Sequence, residues 1–247
     1  MAVPSFPSRM PGAVFPPAPA NNLALFLDLD GTLIDIAATP DAVVVPDDLI
    51  ADLASASKVL GGALAIVSGR ALDDIDSLLR PLNLTVASEH GAVIRRPNGF
   101  CDAVGLKVHD DWKIVLHDLA AACPGVLIEA KRHNIVAHYR KAPAYEAEVR
   151  RVVSGLVAFD PENFELLEAK MAFEIRPRHV TKGHAVRSLM HAAPFHDRIP
   201  VFVGDDKTDE DGFQAAVALG GVALDVASAF GGRPFEVRAW LKRFAEL

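Results

Sequence analysis

The sequence predicts an α/β protein with a doubly wound, mainly parallel, Rossmann-like sheet and an inserted α+β domain. Two observations lead to this prediction. Short apolar runs alternate along the chain with segments of helical periodicity, and strand–helix alternation is typical of doubly wound sheets. In the middle of the chain the order becomes helix–strand–strand and occurs twice, which predicts an inserted unit of αββαββ order.

Five apolar runs are expected to form the strands of the large sheet. Runs with so few polar residues are typical of strands that are buried on both faces. They are LALFL (23–27), ALAIV (63–67), LTVAS (84–88), PVFVG (200–204) and GVALDV (221–226). Between them lie segments with apolar residues at helical intervals, as in amphipathic helices. These predicted helices are 47–60, 71–80, 182–192 and 209–218.

The inserted unit is expected between two crossings of the chain that contain Gly or Pro, near 98–109 and 177–181. Very short connections between its strand-like runs indicate antiparallel hairpins. Its predicted helices are 110–122 and 144–158, and its predicted strands are 126–131, 134–140, 164–170 and 172–177. The predicted domains are a core of residues 23–98 and 178–247, a cap of residues 99–177, and an N-terminal tail of residues 1–22.

The composition restricts the class of protein. A chain of 247 residues accommodates one large domain or two modest ones, and 51% hydrophobic with 23% charged residues is typical of a soluble globular protein. The formal net charge of −7 argues against a nucleic-acid or anionic-membrane partner. No apolar run approaches the roughly 18 residues of a membrane span. Because the chain is negatively charged overall, an anionic substrate would need local cations or a metal at its binding site.

Two features bear on the compartment. Cys101 and Cys123 have no metal-ligand spacing and are expected to be reduced thiols. Residues 1–22 are rich in proline, which interrupts the helix of a secretory signal and indicates a disordered tail. We therefore expect a cytoplasmic protein.

A pair of carboxylates follows the first predicted strand. In DLDGT, Asp28 and Asp30 lie on the loop that leaves the strand, and alternation of side chains allows both to face one side. Such a pair can hydrolyse a phosphate ester: one carboxylate attacks phosphorus, and the other protonates the leaving alkoxide and then activates water. The alternative interpretation is an ordinary Asp-rich turn after a strand.

A second acidic cluster, VGDDKTDED (203–211), also follows a predicted strand. Magnesium prefers hard oxygen ligands, which Asp28, Asp205 and the backbone carbonyl of Asp30 could supply. Two more acids could ligate the metal or orient its ligands: Asp206 and Asp209. The alternative is a solvated helix start, where acidic residues are favoured.

Two further residues could bind an anion. Ser68, in AIVSGR, follows a predicted strand, and a hydroxyl with exposed amides at a strand-to-helix turn attracts phosphate; an N-cap serine is the alternative. Lys182, in VTKGHAV, begins a predicted helix, where the dipole disfavours a cation unless an anion pairs with it. A solvent-facing lysine is the alternative there. Because the four signals occur in one order at strand ends or helix starts, we interpret them together as one site.

This order resembles the haloacid-dehalogenase superfamily of phosphatases, with LFLDLDGTL, AIVSGR, Lys182 and VGDDKTDED as its four motifs. Within the superfamily the chain looks most like the trehalose-6-phosphate phosphatase family. The strings that carry this likeness are SEHGAVIR (88–95), IEAKRHNIVAHYR (128–140), LEAKMAFEIRP (167–177), TKGHAV (181–186) and GDDKTDED (204–211). One departure is Glu89, where the family commonly has a small residue before His-Gly.

The resemblance implies a role for each matching position. Asp28 would be the nucleophile and Asp30 the general acid/base. Mg2+ would be held by Asp28, the Asp30 carbonyl and Asp205, and the phosphoryl group would be bound by Ser68 and Lys182. The cap would contact the sugar hydroxyls through five residues: Glu129, Lys131, Arg140, Lys170 and Glu174.

The residues themselves are compatible with a sugar-binding cap. Glu129 and Lys131 share a face of one predicted strand, and His138 and Arg140 share a face of the next. Mixed charged side chains suit a polyhydroxylated ligand, since each hydroxyl both donates and accepts. The alternative is a solvated outer face of the cap.

The resemblance implies hydrolysis of trehalose 6-phosphate to trehalose and phosphate, the last step of trehalose biosynthesis. We expect a Mg2+-dependent cytoplasmic monomer that binds a small sugar phosphate and neither nucleic acid nor membrane. The alternatives are a phosphatase acting on sucrose 6-phosphate or mannosyl-3-phosphoglycerate, a phosphosugar-binding module without turnover, and a phosphomutase.

Overall fold

The computed structural model describes residues 16–37, 42–103, 106–169 and 171–247. Its strands are β1 (Leu23–Leu27), β2 (Leu64–Val67), β3 (Thr85–Ser88), β4 (Val93–Arg95), β5 (Cys101–Ala103), β6 (Leu127–Ala130), β7 (Ile135–His138), β8 (Phe164–Ala169), β9 (Ala172–Pro177), β10 (Ile199–Gly204) and β11 (Val222–Asp225). Its α-helices are α1 (Leu49–Val59), α2 (Leu72–Leu79), α3 (Asp110–Ala122), α4 (Glu146–Val157), α5 (Lys182–Met190), α6 (Glu210–Ala218), α7 (Val226–Ala229) and α8 (Pro234–Lys242).

The strands form two sheets. The larger is mainly parallel, in the order β11-β10-β1-β2-β3-β4-β5, and the smaller is antiparallel, in the order β6-β7-β9-β8. The predicted α/β class with an inserted α+β unit is therefore confirmed.

The centre of the large sheet brings several predicted site residues to one edge. β1 lies between β10 and β2, and all three run parallel, with Leu27 opposite both Val203 and Ile66. Every residue of β1 is buried, as expected for a central parallel strand. Because the carboxyl ends of parallel strands meet at one edge, the residues that follow these strands lie together where ligands of such sheets bind.

Four elements of the larger unit were not predicted from the sequence: β4, β5, α7 and α8. β4 and β5 extend the sheet in antiparallel fashion beyond β3, and α8 packs on α1. The two strands have three residues each and are partly or fully exposed, so no apolar run marks them. β5 lies within the range 99–177 predicted for the cap, but its pairing with β4 places it in the large sheet.

The small sheet has one polar and one apolar face. Glu129, Val136 and Glu174 are opposite one another across β6, β7 and β9, and therefore share a face. The other face carries Phe173 and Ile175, which join a hydrophobic cluster with residues of α3 and α4. This cluster is separate from the core of the large sheet. The inserted unit thus has its own core and presents a polar sheet face.

Part of the proline-rich N-terminal segment contacts the larger unit. Trp240 Nε1 donates a hydrogen bond to the carbonyl of Pro17 at 2.9 Å, and the Ile199 N–H donates to the carbonyl of Asn22 at 3.0 Å. Residues 16–22 therefore lie against the core, which differs from the disordered tail that the composition predicts through residue 22. The rest of the predicted tail, residues 1–15, lies outside the described residues.

Two other expectations concern the cysteine thiols and membrane-spanning helices. Cys101 and Cys123 are both free thiols, the first exposed and the second buried. Within the described ranges, none of the helices has the length and apolar character needed to cross a bilayer.

Candidate active site

Asp28 and Lys182 meet at the carboxyl edge of the large sheet. Asp28 follows β1, is 4% exposed, and donates its backbone N–H to the carbonyl of Val203 at 2.9 Å. Lys182 is the first residue of α5, and its Nζ donates to Asp28 Oδ1 at 2.7 Å. The helix start is fixed by Thr181, whose side chain accepts the N–H of His184. Lys182 is thus buried in an ion pair and is not the solvent-facing lysine that the sequence allowed.

The charges of this pair are set by burial and by the neighbouring carboxylates. Burial raises the pKa of Asp28 well above its ordinary value, and the charge of Lys182 opposes that rise. Burial would lower the pKa of Lys182, but Asp28 and Asp209 raise it above its ordinary value. The Lys182 ammonium therefore stays cationic at neutral pH, which suits it to bind a phosphoryl group.

Asp209 is held at the centre of the same edge. Its Oδ1 accepts from Lys182 Nζ at 2.7 Å, and its Oδ2 accepts the backbone N–H groups of Asp205 and Asp206 at 3.0 and 3.1 Å. It is fully buried, and a side chain at Gly204 would overlap its carboxyl group. Because both oxygens already accept from the protein, these contacts favour a role for Asp209 in orienting Lys182 and the loop after β10.

Three acids form a cluster that fits a divalent cation. Asp28, Asp205 and Asp209 each offer a carboxylate oxygen, and these oxygens lie within 4.8 Å of one another. Gly31 has a φ of +79°, and a Cβ there would overlap the Asp205 carboxylate, so glycine is required for this approach. Thr32 Oγ1 lies 3.3 Å from Asp28 Oδ2 and 3.4 Å from Asp205 Oδ1. Hard carboxylate oxygens at this spacing are the ligands that a divalent cation prefers.

The crowding of these acids predicts metal binding that depends on pH. Burial, followed by the charges of Asp206 and Asp209, raises the pKa of Asp205 from 3.8 to about 6. Below that pH the carboxyl group is protonated and must release its proton before it binds a cation. We expect the affinity for Mg2+ to rise as pH increases through about 6, because the cation competes with the proton on Asp205. Calorimetric titration between about pH 5 and 8 measures this.

Asp205→Asn is the control for this titration, and it should weaken binding and flatten the pH profile. An affinity of the native protein that does not change over this range would contradict the prediction.

Asp30 is paired with an arginine that the sequence analysis did not single out. Arg70 donates from Nε to Asp30 Oδ2 at 2.6 Å and from Nη2 to Oδ1 at 2.7 Å. The Asp30 carboxylate is 35% exposed and the Arg70 guanidinium 14%, so the pair lies at the mouth of the site. The hydrogen bond to Asp30 raises the pKa of Arg70. A signal existed in the sequence, because Arg70 is the last residue of the predicted anion-binding string AIVSGR.

Ser68 lies in the turn that follows β2. It is 2% exposed, and its Oγ accepts the backbone N–H of Arg70 at 3.2 Å. The N-cap of α2 is Ala71, so the sequence alternative of an N-cap serine does not apply. Ser68 is thus buried beside the residues at the ends of β1 and β2.

The polar face of the cap reaches this turn. Lys131 Nζ donates to the carbonyl of Gly69 at 3.0 Å and lies 3.1 Å from Glu129 Oε1. His138 Nε2 lies 3.1 Å from Glu129 Oε2. The hydrogen bond with His138, helped by Lys131 and opposed by burial, lowers the pKa of Glu129 to about 2. Two of the predicted sugar-binding residues therefore face the edge that carries Ser68.

Glu174 makes a second contact between cap and core. It is 6% exposed; His90 Nε2 lies 3.2 Å from its Oε1, and Asn134 Nδ2 donates to the same oxygen. Burial alone would raise the pKa of Glu174, but chiefly the charge and hydrogen bond of His90 lower it to about 2. His90 and Asn134 were not among the predicted site residues, although both lie within the strings that carry the family resemblance.

The other predicted cap residues do not join the contacts that Glu129, Lys131 and Glu174 make near the core. Arg140 is exposed, and its side chain has no hydrogen-bond partner within the described part of the chain. Lys170 lies outside the described residues. His133, in the connection between β6 and β7, is 1% exposed.

Comparison with known proteins agrees with this site. A haloacid dehalogenase-like hydrolase from B. subtilis shares the fold, with a TM-score of 0.57 and 19% identity over 88% of this chain and 92% of that one. Together with relatives that are 41% and 39% identical and a matching phosphatase family, these findings identify a hydrolase of the haloacid-dehalogenase superfamily that acts on a phosphate monoester. The trehalose-phosphatase family matches residues 26–233, and the chain belongs to that family.

Two further proteins show how far the similarity extends. A probable trehalose-phosphate phosphatase of Sinorhizobium fredii is 41% identical over 214 residues, which are 83% of this chain and 78% of the relative. The C-terminal domain of the C. albicans trehalose-6-phosphate phosphatase has a TM-score of 0.72 and 22% identity, over 92% of this chain and 93% of that domain. The second comparison concerns the fold alone.

Proposed function

We propose that the protein hydrolyses trehalose 6-phosphate to trehalose and phosphate, as the last step of trehalose biosynthesis, with Mg2+ at the acidic cluster. The observation that carries the proposal is the buried Asp28–Lys182 pair at the edge of the large sheet, facing the polar side of the cap, in a trehalose-phosphatase family member. We assign the catalytic core to residues 23–98 and 178–247 together with β5, and the cap to the chain between the two crossings.

Asp28 is the proposed nucleophile. Its Oδ1 is bonded to Lys182 at 2.7 Å, whereas its Oδ2 has the weaker contact of 3.3 Å with Thr32 Oγ1. Oδ2 is therefore the oxygen with the weaker hydrogen bond, and it is the one proposed to attack phosphorus. The attack forms an aspartyl-phosphate and breaks the bond between phosphorus and the sugar oxygen. Lys182 and the Ser68 hydroxyl would donate hydrogen bonds to the phosphoryl oxygens, which carry negative charge throughout the transfer.

Asp30 is the proposed general acid/base. It would donate a proton to the leaving sugar oxygen, and then accept one from the water that attacks phosphorus and releases Asp28 and phosphate. Its two hydrogen bonds from Arg70 orient the carboxylate at the mouth of the site. Since a phosphate ester also accepts hydrogen bonds from a guanidinium, bound substrate would compete for Arg70 and leave Asp30 free to contact the leaving sugar oxygen.

The proposed metal ligands are Asp28, Asp205 and the backbone carbonyl of Asp30. When bound, Mg2+ would supply positive charge that neutralises the phosphoryl oxygens and reduces their repulsion of the nucleophile. Asp206 is less suited to direct ligation, because its Oδ1 accepts the Thr208 N–H at 2.7 Å and caps the following turn. It is proposed to fix the loop instead.

The polar face of the cap is proposed to bind the sugar hydroxyls. The lowered pKa values of Glu129 and Glu174 keep both carboxylates anionic at neutral pH, and anionic oxygens are strong acceptors for hydroxyl groups. Lys131 would donate to the same sugar. Arg140 and Lys170 are proposed contacts from their places in the family motifs alone.

A panel of sugar phosphates, assayed with Mg2+ and with a chelator, tests the proposed function. We expect phosphate release from trehalose 6-phosphate with a kcat/KM at least about 100-fold above that for sucrose 6-phosphate. Chelation should abolish the release. Preference for another sugar phosphate would contradict the substrate, and full turnover in chelator would contradict the metal requirement.

Substitution of the cap acids should separate sugar recognition from phosphoryl chemistry. We expect Glu129→Ala and Glu174→Gln each to lower kcat/KM for trehalose 6-phosphate by about 10- to 100-fold, since each removes a charge-assisted hydrogen bond. Turnover of p-nitrophenyl phosphate, which has no sugar, should stay within about twofold of the native value. Glu162→Ala, on an exposed loop of the cap, is the matched control. Intact trehalose 6-phosphate turnover in both variants would show that the cap assignment is wrong.

A further inference from the structure

Glu89 joins core and cap at a point that the proposed chemistry does not use. It follows β3, and its Oε2 accepts the backbone N–H of His133, in the cap, at 2.8 Å. Glu89 is 7% exposed and His133 is 1% exposed. A carboxylate buried to this degree is destabilising unless it is hydrogen-bonded, so the hydrogen bond from the His133 N–H stabilises Glu89 in this position.

The turn that carries Glu89 is held against the active-site turn. Glu89 and His90 have φ values of 46° and 60°, in the left-handed region that non-glycine residues rarely adopt. Their backbone N–H groups donate to the carbonyls of Arg70 and Ser68, both at 2.9 Å. Such strain persists where surrounding contacts enforce it, and it is common at functional sites. The Glu89 carboxylate is therefore fixed relative to Ser68 and Arg70.

His133 lies at the tip of the β6–β7 hairpin, between two residues of the cap's polar face. The Lys131 N–H donates to the carbonyl of Asn134 at 2.9 Å and closes the tip. From either side of His133, Lys131 reaches the Gly69 carbonyl and Asn134 donates to Glu174. Fixing the His133 N–H therefore restricts the position of both side chains.

The same tip is bonded to the segment that leads into the cap. The Val108 N–H donates to the carbonyl of Arg132 at 3.3 Å, and His133 Nδ1 lies 3.1 Å from the carbonyl oxygen of Leu106. The tip is thus connected both to the core turn and to the chain crossing. A shift of the tip would move the cap's polar face relative to the site.

We propose that Glu89 is a positioning residue that holds the tip of the β6–β7 hairpin on the core, and thereby places Lys131 and Glu174 over the phosphate-binding turn. The two units have separate hydrophobic clusters, so polar contacts such as this one set how their facing surfaces meet. The kinetic consequence rests on the proposed function, whereas the contact can be measured independently of it.

Two substitutions of Glu89 test the proposal. Glu89→Gln keeps an acceptor oxygen at the same distance from the backbone. Glu89→Asn shortens the side chain by one methylene, and Asn is tolerated in the left-handed region, so little backbone strain is added. Glu162→Asn, on an exposed loop of the cap, is the matched control.

We expect Glu89→Asn to raise KM for trehalose 6-phosphate by about tenfold, while kcat/KM for p-nitrophenyl phosphate changes by less than about twofold. Glu89→Gln should stay within about threefold of the native KM, because its oxygen can accept the same N–H. This rescue by the conservative variant separates positioning from a general effect on folding.

Hydrogen exchange measures the contact itself. The amide of His133 should exchange about tenfold faster in Glu89→Asn than in the native protein, and near the native rate in Glu89→Gln and Glu162→Asn. Native exchange and native KM in Glu89→Asn would overturn the proposal. An equal loss of kcat/KM for trehalose 6-phosphate and for p-nitrophenyl phosphate in Glu89→Asn, without recovery in Glu89→Gln, would also overturn the proposal. If the native protein fails to hydrolyse trehalose 6-phosphate, the proposed function fails, and the exchange result alone decides the role of Glu89 in holding the tip.

Discussion

Asp28→Asn is expected to abolish phosphate release from trehalose 6-phosphate, lowering kcat by at least about 10⁴-fold. An amide is a poor nucleophile and cannot form the aspartyl-phosphate from which phosphate is released. The substitution keeps the size and shape of the side chain beneath Lys182, so the loss is chemical in origin. A free-phosphate assay with saturating Mg2+ measures it.

The stability of Asp28→Asn distinguishes this interpretation from loss of structure. Burial raises the pKa of Asp28, which means that its negative charge is unfavourable in the metal-free protein. A neutral side chain removes that penalty while Lys182 keeps its bond to Asp209, so we expect an unchanged or higher Tm without metal. The Tm increase caused by Mg2+ should shrink. Asp47→Asn, at an exposed position, should behave as the native protein, and full activity of Asp28→Asn would disprove the nucleophile assignment.

Lys182→Met is expected to impair both stability and activity. The ammonium lies 2.7 Å from Asp28 and from Asp209, and all three side chains are buried. Its removal leaves two buried carboxylates without their cation, which typically lowers the free energy of unfolding by about 3–5 kcal/mol. The phosphoryl group also loses a fixed positive charge, so kcat should fall by at least about 10²–10³-fold.

Urea unfolding near neutral pH measures the expected loss of unfolding free energy in Lys182→Met. Because the pKa of Lys182 is raised above 10.5 in the folded protein, its stabilising contribution is fully present below pH 10.5 and is lost only as pH rises through the raised value. The penalty of the substitution is therefore expected at neutral pH. Lys58→Met, on the exposed side of α1, is the control and should unfold as the native protein does. An unchanged unfolding free energy in Lys182→Met would contradict the buried ion pair.

Together the two variants separate the contribution of Asp28 to turnover from that of Lys182 to both stability and turnover. Asp28→Asn should remain folded and lose turnover. Lys182→Met should lose the buried cation on which both stability and turnover depend. A Lys182→Met variant of native stability but no activity would mean that a cation other than Lys182 neutralises Asp28 and Asp209.

The position of the site on the large sheet was predictable because it depends on local features. Apolar runs mark β1, β2 and β10, and parallel strands of a doubly wound sheet end at one edge. Asp28, Ser68 and Asp205 could therefore be placed together without a structure. The start of α5 at Lys182 was visible for the same reason, since helical periodicity is a local property of the chain.

The partners of these residues could not be predicted in the same way. Arg70 and Asp30 are 40 residues apart, and Glu89 and the His133 N–H are 44 residues apart. Such contacts depend on side-chain conformations and on the way in which the cap meets the core. β4 and β5 also went unrecognised, because strands of three residues with exposed positions have no apolar pattern.

The order of acids, serine and lysine along the chain, with the periodicity around them, was sufficient to predict the class of fold and to propose Asp28 as the nucleophile. Those features are encoded in short segments, each of which has one favoured structure. The different hydrogen bonds of Asp205, Asp206 and Asp209, and the contacts of Arg70, His90 and Glu89, became apparent only in the folded protein. They are set by distances between atoms that are remote in the chain, and burial then determines which charges are paired.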